Sequence, residues 1–235
     1  MLDKQKLGGL TAMAINPLYQ RLIGYQEYGL DEMKLRSGEF RSDLQRRRTV
    51  RHFSDRPVPR EIIEDCVGAA ASAPSGANMQ PWHFVVISDQ TIKAQIREAA
   101  EKEERAFYAR RASSEWLEAL MPLGVDENKP FLDVAPYIIA IFAQTYGLSP
   151  DGSKIKHYYV YESVGIATGI LITAIHKTGL VSLTHTPSPM GFLKKILRRP
   201  ANERPFLLLA VGYPSEGATV PRISRKMLHE VNTFV

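Results

Sequence analysis

An α+β fold, with a mixed sheet flanked by helices, is what this sequence predicts, and three observations carry that expectation. Apolar runs of strand length recur at 83–88, 137–143, 180–184 and 206–214. Helix-patterned segments separate them in an uneven order, unlike the strict alternation that builds a parallel α/β sheet. No strand-like run leads into G-x-G-x-x-G or a P-loop, so neither nucleotide-binding unit is expected.

Taken in chain order, residues 1–45 read as an N-terminal arm, helical in part and interrupted by glycine and charge. VPREIIEDCVGAAASAP reads as a helix: Pro59 stands near its start, apolar residues recur at Ile62, Ile63, Cys66 and Val67, and Pro74 stops it. PSGANMQPW is a turn-rich loop, and HFVVIS (83–88) is β-branched and aromatic, hence a strand. From Thr91 to about Leu120 the pattern is one charged helix. YIIAIFA (137–143) is a continuous apolar strand, followed by a Gly/Ser/Pro/Asp loop at 147–153. VYESVGIATGILITAIHKTG is apolar almost all round, which predicts a central, buried helix. LVSLT (180–184) and FLLLAVGYP (206–214) add two strands, with a short basic helix from Phe192 to Arg198 between them. The last 20 residues read as an extended tail able to wrap something larger than its own domain.

Composition excludes several classes of function. The 44% apolar and 23% charged residues are ordinary for a soluble globular chain. A net charge of +5 arises from 30 basic and 25 acidic residues that interleave, whereas nucleic-acid binders concentrate basic residues on one face. The single cysteine, Cys66, excludes an intramolecular disulfide and a cysteine zinc cluster, and reads as a buried thiol. Six scattered histidines form no i, i+4 pair near an acid, so no metal site is expected. There is no G-x-S-x-G nucleophile elbow. The start lacks a signal-peptide core, and the most apolar run, Val164 to Ile175, spans 12 residues. A spanning helix needs about 20. The expectation is a cytoplasmic chain bound to neither membrane nor nucleic acid.

RRRTVRHFS places four arginines within residues 46–51. On residue chemistry alone this is equally a solvated basic face or a fork of planar donors around one phosphate. Its combination with APSGANMQPWHFVVI resembles the flavin-binding half of the FMN-dependent nitroreductase superfamily. EERAFYARR (103–111), KPFLDVAP (129–136), HYYVYESVGIATGILITA (157–174), GLVSLTHTP (179–187) and AVGYPSEGATVP (210–221) narrow the resemblance to the iodotyrosine deiodinases. It runs from about Arg46 to the C-terminus.

The resemblance implies a nitroreductase-type fold in which 46–235 form a single FMN-binding catalytic domain. It also implies a homodimer with two FMN sites at the interface and a C-terminal tail wrapped around the partner. Arg47, Arg48, Thr49 and Arg51 fall on the segment that holds the FMN phosphate, ribityl chain and pyrimidine edge. Ser75 and Gly76 fall on the loop along the cofactor's other side, Thr184 joins the FMN contacts, and Arg225 completes the phosphate site. Thr186 is the implied catalytic residue, matching the threonine whose hydroxyl bonds flavin N5. Ala77 matches the residue whose backbone N–H receives the substrate phenolate, while Glu104, Tyr108 and Lys129 match the lid residues that grip the amino-acid zwitterion. The lid trio also makes sense unaided: Glu104 and Tyr108 share a helix face, and Lys129 offers a cation to a carboxylate.

The implied reaction is reductive dehalogenation of iodo- or bromotyrosine to tyrosine and halide, with NADPH acting through a partner reductase, or another donor, as reductant. The alternative is a general FMN-dependent nitroreductase or quinone reductase, which needs no zwitterion clamp. A flavin-binding or amino-acid-sensing module without turnover is a further reading. This sequence departs from the family pattern at Thr49, where serine is usual, and at His185, where a hydroxyl residue is expected. Vertebrate deiodinases carry a membrane anchor ahead of the catalytic domain, and the expectation here is a chain without one.

Overall fold

A single strand explains most of the architecture. YIIAIFAQ forms β2, and its central six residues are buried on both faces, which is why its sequence is a continuous apolar run rather than an alternating one. The computed structural model describes residues 22–235. The earlier part of the expected N-terminal arm lies outside the described residues. The described chain divides into two units between Asp43 and Leu44, the second running to Val235.

Helix α1 (Leu30–Arg46) buries no side chain and is laced by Arg36–Glu32 and Lys34–Asp31 pairs on its surface. Next come α2 (Arg60–Ala71), β1 (Trp82–Ile87), α3 (Gln90–Ala106), α4 (Ser114–Leu120) and the short α5 (Phe131–Val134). After them follow β2 (Tyr137–Gln144), β3 (Tyr146–Leu148), β4 (Lys154–Lys156), α6 (Val160–Lys177), β5 (Val181–His185), α7 (Gly191–Ile196) and β6 (Glu203–Gly212). Pro59 stands immediately before α2, and Asp89 caps α3 by accepting from the Ile92 N–H at 2.8 Å.

Four strands make the main sheet in the order β1-β2-β6-β5, and all three ladders are antiparallel. Its parallel element is one isolated bridge, Thr49 to Ser182 on β5. Alternation along β2 sorts the core into two layers. Ile139, Ile141 and Ala143 face α2 and α6, joined by Leu209 and Val211 of β6. Ile138, Ala140 and Phe142 face α3, α5 and α7, joined by Leu208 and Ala210. No helix among the described residues is long and apolar enough to cross a membrane.

Three elements differ from the sequence-based expectation. The helix expected over 91–120 is broken by a π-type turn, Phe107–Arg111, in which the Ala112 N–H bonds the Phe107 carbonyl five residues back. Arg111 stabilises the break by donating to the Glu103 carbonyl at 2.6 Å and to its carboxylate at 3.0 Å. The loop expected at 147–153 is flanked by a two-stranded hairpin, β3–β4, whose turn uses a left-handed Gly152. Finally, α6 is buried on one face only. Val164, Ala167, Leu171 and Ile175 face inward, whereas Tyr159, Tyr161 and Ile166 are 72%, 55% and 46% exposed.

A buried carboxylate ties the far end of the sheet together. Glu203, at the start of β6, accepts from Arg199 at 2.6 and 2.9 Å and from Gln144 of β2 at 3.3 Å. His83 Nδ1 of β1 lies 4.0 Å away. Burial pushes the Glu203 pKa up, but the bonds from Arg199 and Gln144 overcome that and bring it below the usual carboxylate value. A depressed carboxylate pKa stabilises the fold above the unfolded-state pKa and loses that contribution as pH falls through the folded-state pKa. Glu203→Gln should therefore cost about 2 kcal/mol at neutral pH, a shift of roughly 5 °C in melting temperature. Thermal melts against pH should show the gap from wild type closing below the ordinary carboxylate range.

Candidate active site

The sheet has a free edge at β5, and the arginine segment occupies it. Val50 donates its N–H to the Ser182 carbonyl at 3.3 Å beside the Thr49–Ser182 bridge. Just beyond, Phe53 bridges Pro214, the Ser54 N–H bonds Tyr213 O at 2.9 Å, and the Ser215 N–H bonds His52 O at 3.0 Å. Residues 47–54 are thus stitched to β5 on one side and to the chain leaving β6 on the other.

This placement gathers the cations. The C-terminal tail returns to the same edge, where Arg225 donates to Gln45 O at 3.1 Å and to Arg47 O at 2.7 Å. Arg48 donates to the Pro221 carbonyl. Burial, then the charges of Arg225 and Arg48, lower the Arg47 pKa. Arg47 thus stands close enough to Arg225 and Arg48 to feel both charges, and a cluster of this kind could hold an anion with several oxygens. The expected residues Arg47, Arg48, Thr49 and Arg225 are therefore brought together.

A second group lines one cavity of about 280 Å³. Arg51, Thr184 and Thr186 form part of its wall, and Glu104, Tyr108 and Lys129 line it as well. Thr184 and Thr186 are both exposed while His185 between them is buried, as strand alternation requires. Arg51 is half-buried, and its pKa is lowered by burial against an opposing pull from Tyr108.

The lid is built from α3, the π-type turn and the 121–130 loop. Glu104 and Lys129 form an ion pair at 3.3 Å, both side chains largely buried. The Lys129 N–H bonds Glu101 at 2.8 Å, and its Nζ donates to the Asp126 carbonyl. The Lys129 Nζ stands 6.0 Å from the centre of the Tyr108 ring. Burial, reinforced by Glu104, raises the Tyr108 pKa, so the phenol stays protonated and can donate. The π-type turn rotates Tyr108 into the wall, with Phe107 edge-on to it at 5.5 Å and Trp116 edge-on to Phe107 at 4.9 Å.

Ser75, Gly76 and Ala77 stand apart from this cavity, against the start of α6. The Gly76 N–H bonds Ser163 Oγ at 3.3 Å, and Ser75 Oγ accepts from the Gln80 N–H at 2.9 Å. A Cβ on Gly76 would come within 2.6 Å of the Tyr158 carbonyl oxygen, so only glycine fits. Ala77 holds a left-handed φ of 50°, a strained conformation for alanine of the kind that clusters at binding sites.

Sequence reasoning did not select the apolar wall of the cavity, formed by Phe107, Trp116, Leu120, Val125, Phe131 and Leu183. The only signal for it was the lid's aromatic content, unusual for an otherwise charged helix. The residues present thus offer an arginine cluster that could hold an anion, and a cavity lined by exposed threonines, an apolar wall and a paired carboxylate and ammonium.

Known proteins share this arrangement's sequence and fold. Residues 44–213 match the Nitroreductase family. An iodotyrosine deiodinase of Haliscomenobacter hydrossis is 60% identical over 83% of this chain and 88% of that protein. Iodotyrosine deiodinase 1 of Homo sapiens is 43% identical over 91% of this chain and 74% of its own. A crystal structure of oxidized iodotyrosine deiodinase bound to FMN and 3-iodo-L-tyrosine superposes with a TM-score of 0.70 at 31% identity, covering 83% of this chain and all of that one. A BluB-like flavoprotein of Clostridium difficile, at 21% identity and a TM-score of 0.64, shares the fold. The chain belongs to the nitroreductase family and, within it, to the iodotyrosine deiodinases.

Proposed function

We propose that this protein is an FMN-dependent oxidoreductase that dehalogenates halotyrosines reductively, releasing tyrosine and halide. The observation that carries this reading is the buried Glu104–Lys129 pair closing the cavity that Arg51, Thr184 and Thr186 line. A general nitroreductase has no use for a paired carboxylate and ammonium at that position.

The residues fit FMN. Arg47, Arg48 and Arg225 would hold its phosphate, the Thr49 hydroxyl its ribityl chain, and Arg51 the pyrimidine edge. Ser75 and Gly76 would line its other side. FMN, when bound, supplies the two electrons that, with one proton, exchange the carbon–halogen bond for a carbon–hydrogen bond. The chain's own side chains do the rest. Glu104 and the Tyr108 hydroxyl bind the α-ammonium, Lys129 binds the α-carboxylate, and the Ala77 N–H receives the phenolate oxygen. The apolar wall seats the halogenated ring, and closure of the lid excludes water. Thr184 and Thr186 would hold the cofactor's other edge, and the Thr186 hydroxyl would supply a hydrogen-bond donor to it.

We read residues 46–235 as the catalytic domain and 1–45 as an arm. The separation of Ser75–Ala77 from the Thr186 cavity supports a homodimer, in which a second copy completes each site. The exposed Tyr159, just before α6, and Tyr161 and Ile166 on it would lie at that interface, and the tail with its exposed Phe234 would wrap the partner. NADPH acting through a reductase is the proposed electron source, and the cytoplasm the proposed location.

The deciding experiment is anaerobic. Chemically reduced, FMN-loaded protein mixed with 3-iodo-L-tyrosine should reoxidise with one tyrosine formed per flavin. Reoxidation by a nitroaromatic but not by iodotyrosine would replace this reading with the general nitroreductase one. Lys129→Ala should weaken halotyrosine binding by about 10- to 100-fold, the loss expected for one charged hydrogen bond. Retained FMN, measured by absorbance after gel filtration, should be unchanged; a loss of flavin would move Lys129 to the cofactor site. Thr186→Ala should keep FMN and halotyrosine affinity while lowering the dehalogenation rate by about 10-fold or more. Equal rates for variant and wild type would remove Thr186 from the chemistry.

A further inference from the structure

His185 is the last residue of β5 and the inward-facing member of the Thr184–His185–Thr186 run. Its neighbours are exposed, whereas its imidazole is buried in the wall of the same cavity that Glu104, Tyr108, Lys129 and Phe131 line. The ring stands edge-on to Phe131, with centroids 5.4 Å apart at an interplanar angle of 84°. Its Nε2 is sealed from solvent and has no hydrogen-bond partner among the described residues. Burial, and then the charge of Lys129, hold the imidazole pKa down to about 3, so the ring is neutral.

Phe131 lies two residues beyond Lys129. The Lys129 N–H is anchored to the Glu101 carboxylate at 2.8 Å, and the Lys129 carbonyl accepts from the Leu132 N–H at 3.0 Å, across the first turn of α5. Lys129 is therefore fixed on one side by α3 and on the other by a turn whose aromatic residue rests on His185. We propose that His185 is a positioning residue for substrate recognition: its ring supports Phe131 and so aims the Lys129 ammonium at the amino-acid carboxylate. This deepens the halotyrosine reading and rests on it. The ring acts here through its shape, because a sealed nitrogen without a partner contributes no bond and leaving it unpaired is unfavourable. A charged imidazole would oppose Lys129 across a poorly solvated wall. A small side chain would leave a void into which Phe131, and Lys129 with it, could sink.

The test separates the amino-acid end of the ligand from its ring. FMN-loaded wild type, His185→Ala and His185→Phe are titrated calorimetrically with 3-iodo-L-tyrosine and with 2-iodophenol, which lacks the ammonium and carboxylate. His185→Ala should weaken 3-iodo-L-tyrosine by roughly tenfold and 2-iodophenol by no more than about twofold. His185→Phe, which keeps the ring and drops the nitrogens, should bind 3-iodo-L-tyrosine within about twofold of wild type. If His185→Ala does not fold, His185→Asn should show the same split between ligands. Equal weakening of both ligands, unchanged binding of both, or loss in His185→Phe as large as in His185→Ala would each overturn the proposal. Failure of the wild type itself to bind 3-iodo-L-tyrosine would instead overturn the halotyrosine reading.

Discussion

The site depends on one short backbone pairing, the bridge between Thr49 and Ser182 at the open edge of β5. An uncovered sheet edge presents unpaired N–H and carbonyl groups, and the chain here uses them to seat the arginine segment. Once Thr49 and Val50 are fixed there, Arg47 and Arg48 reach the returning tail, and Arg51 reaches the cavity wall. Strand alternation in β5 then decides which side chains meet them: Thr184 and Thr186 outward, His185 inward. A shift of register by one residue would exchange those roles and disassemble the site.

The two parts of the site, the arginine cluster at the sheet edge and the lid-side cavity, are held by different physics. The arginine end rests on main-chain bonds and on carbonyl oxygens accepting from Arg48 and Arg225, so its geometry is that of the sheet itself. The lid end rests on side-chain pairs from α3 and the 121–130 loop, together with a π-type turn that no proline or glycine enforces. Such a segment opens more readily than the sheet it covers. That division suits a protein that keeps one ligand and exchanges another.

How much of this was legible in the sequence follows from where the signals lie. Buried strands announced themselves, because β2 and β6 carry long apolar runs that solvent-exposed segments do not tolerate. The α2 boundaries were legible through Pro59 and Pro74. The π-type turn was not, since EERAFYARR has helical spacing throughout and the break depends on Arg111 bonding Glu103 across it. The exposed side of α6 was hidden for the opposite reason: its apolar residues surround the helix, and one chain supplies packing for only part of them. The arginine run was visible but ambiguous from residue chemistry. Its meaning came from the family resemblance, and the fold adds the reason, since the tail that joins it lies more than 170 residues away. His185 stood out as a departure, but only the strand's phase told which way it faced.

In the proposed halotyrosine site, the charges of Glu104 and Lys129 would supply selectivity without any contact to the halogen. Glu104 and Lys129 neutralise each other at 3.3 Å in a largely buried setting. A zwitterionic amino acid can replace each partner with a group of the same sign, so both charges stay compensated. A carboxylate-only ligand would engage Lys129 and leave Glu104 uncompensated, and an amine-only ligand would do the reverse. Leaving one member of a buried pair alone is strongly unfavourable, on the order of 3–5 kcal/mol. Rejection of single-charge analogues is thus a penalty imposed by the pair rather than a contact the analogue lacks. An uncharged phenol meets neither reward nor penalty at the lid, which makes the ion pair a filter on the amino-acid group and leaves the apolar slot to read the ring.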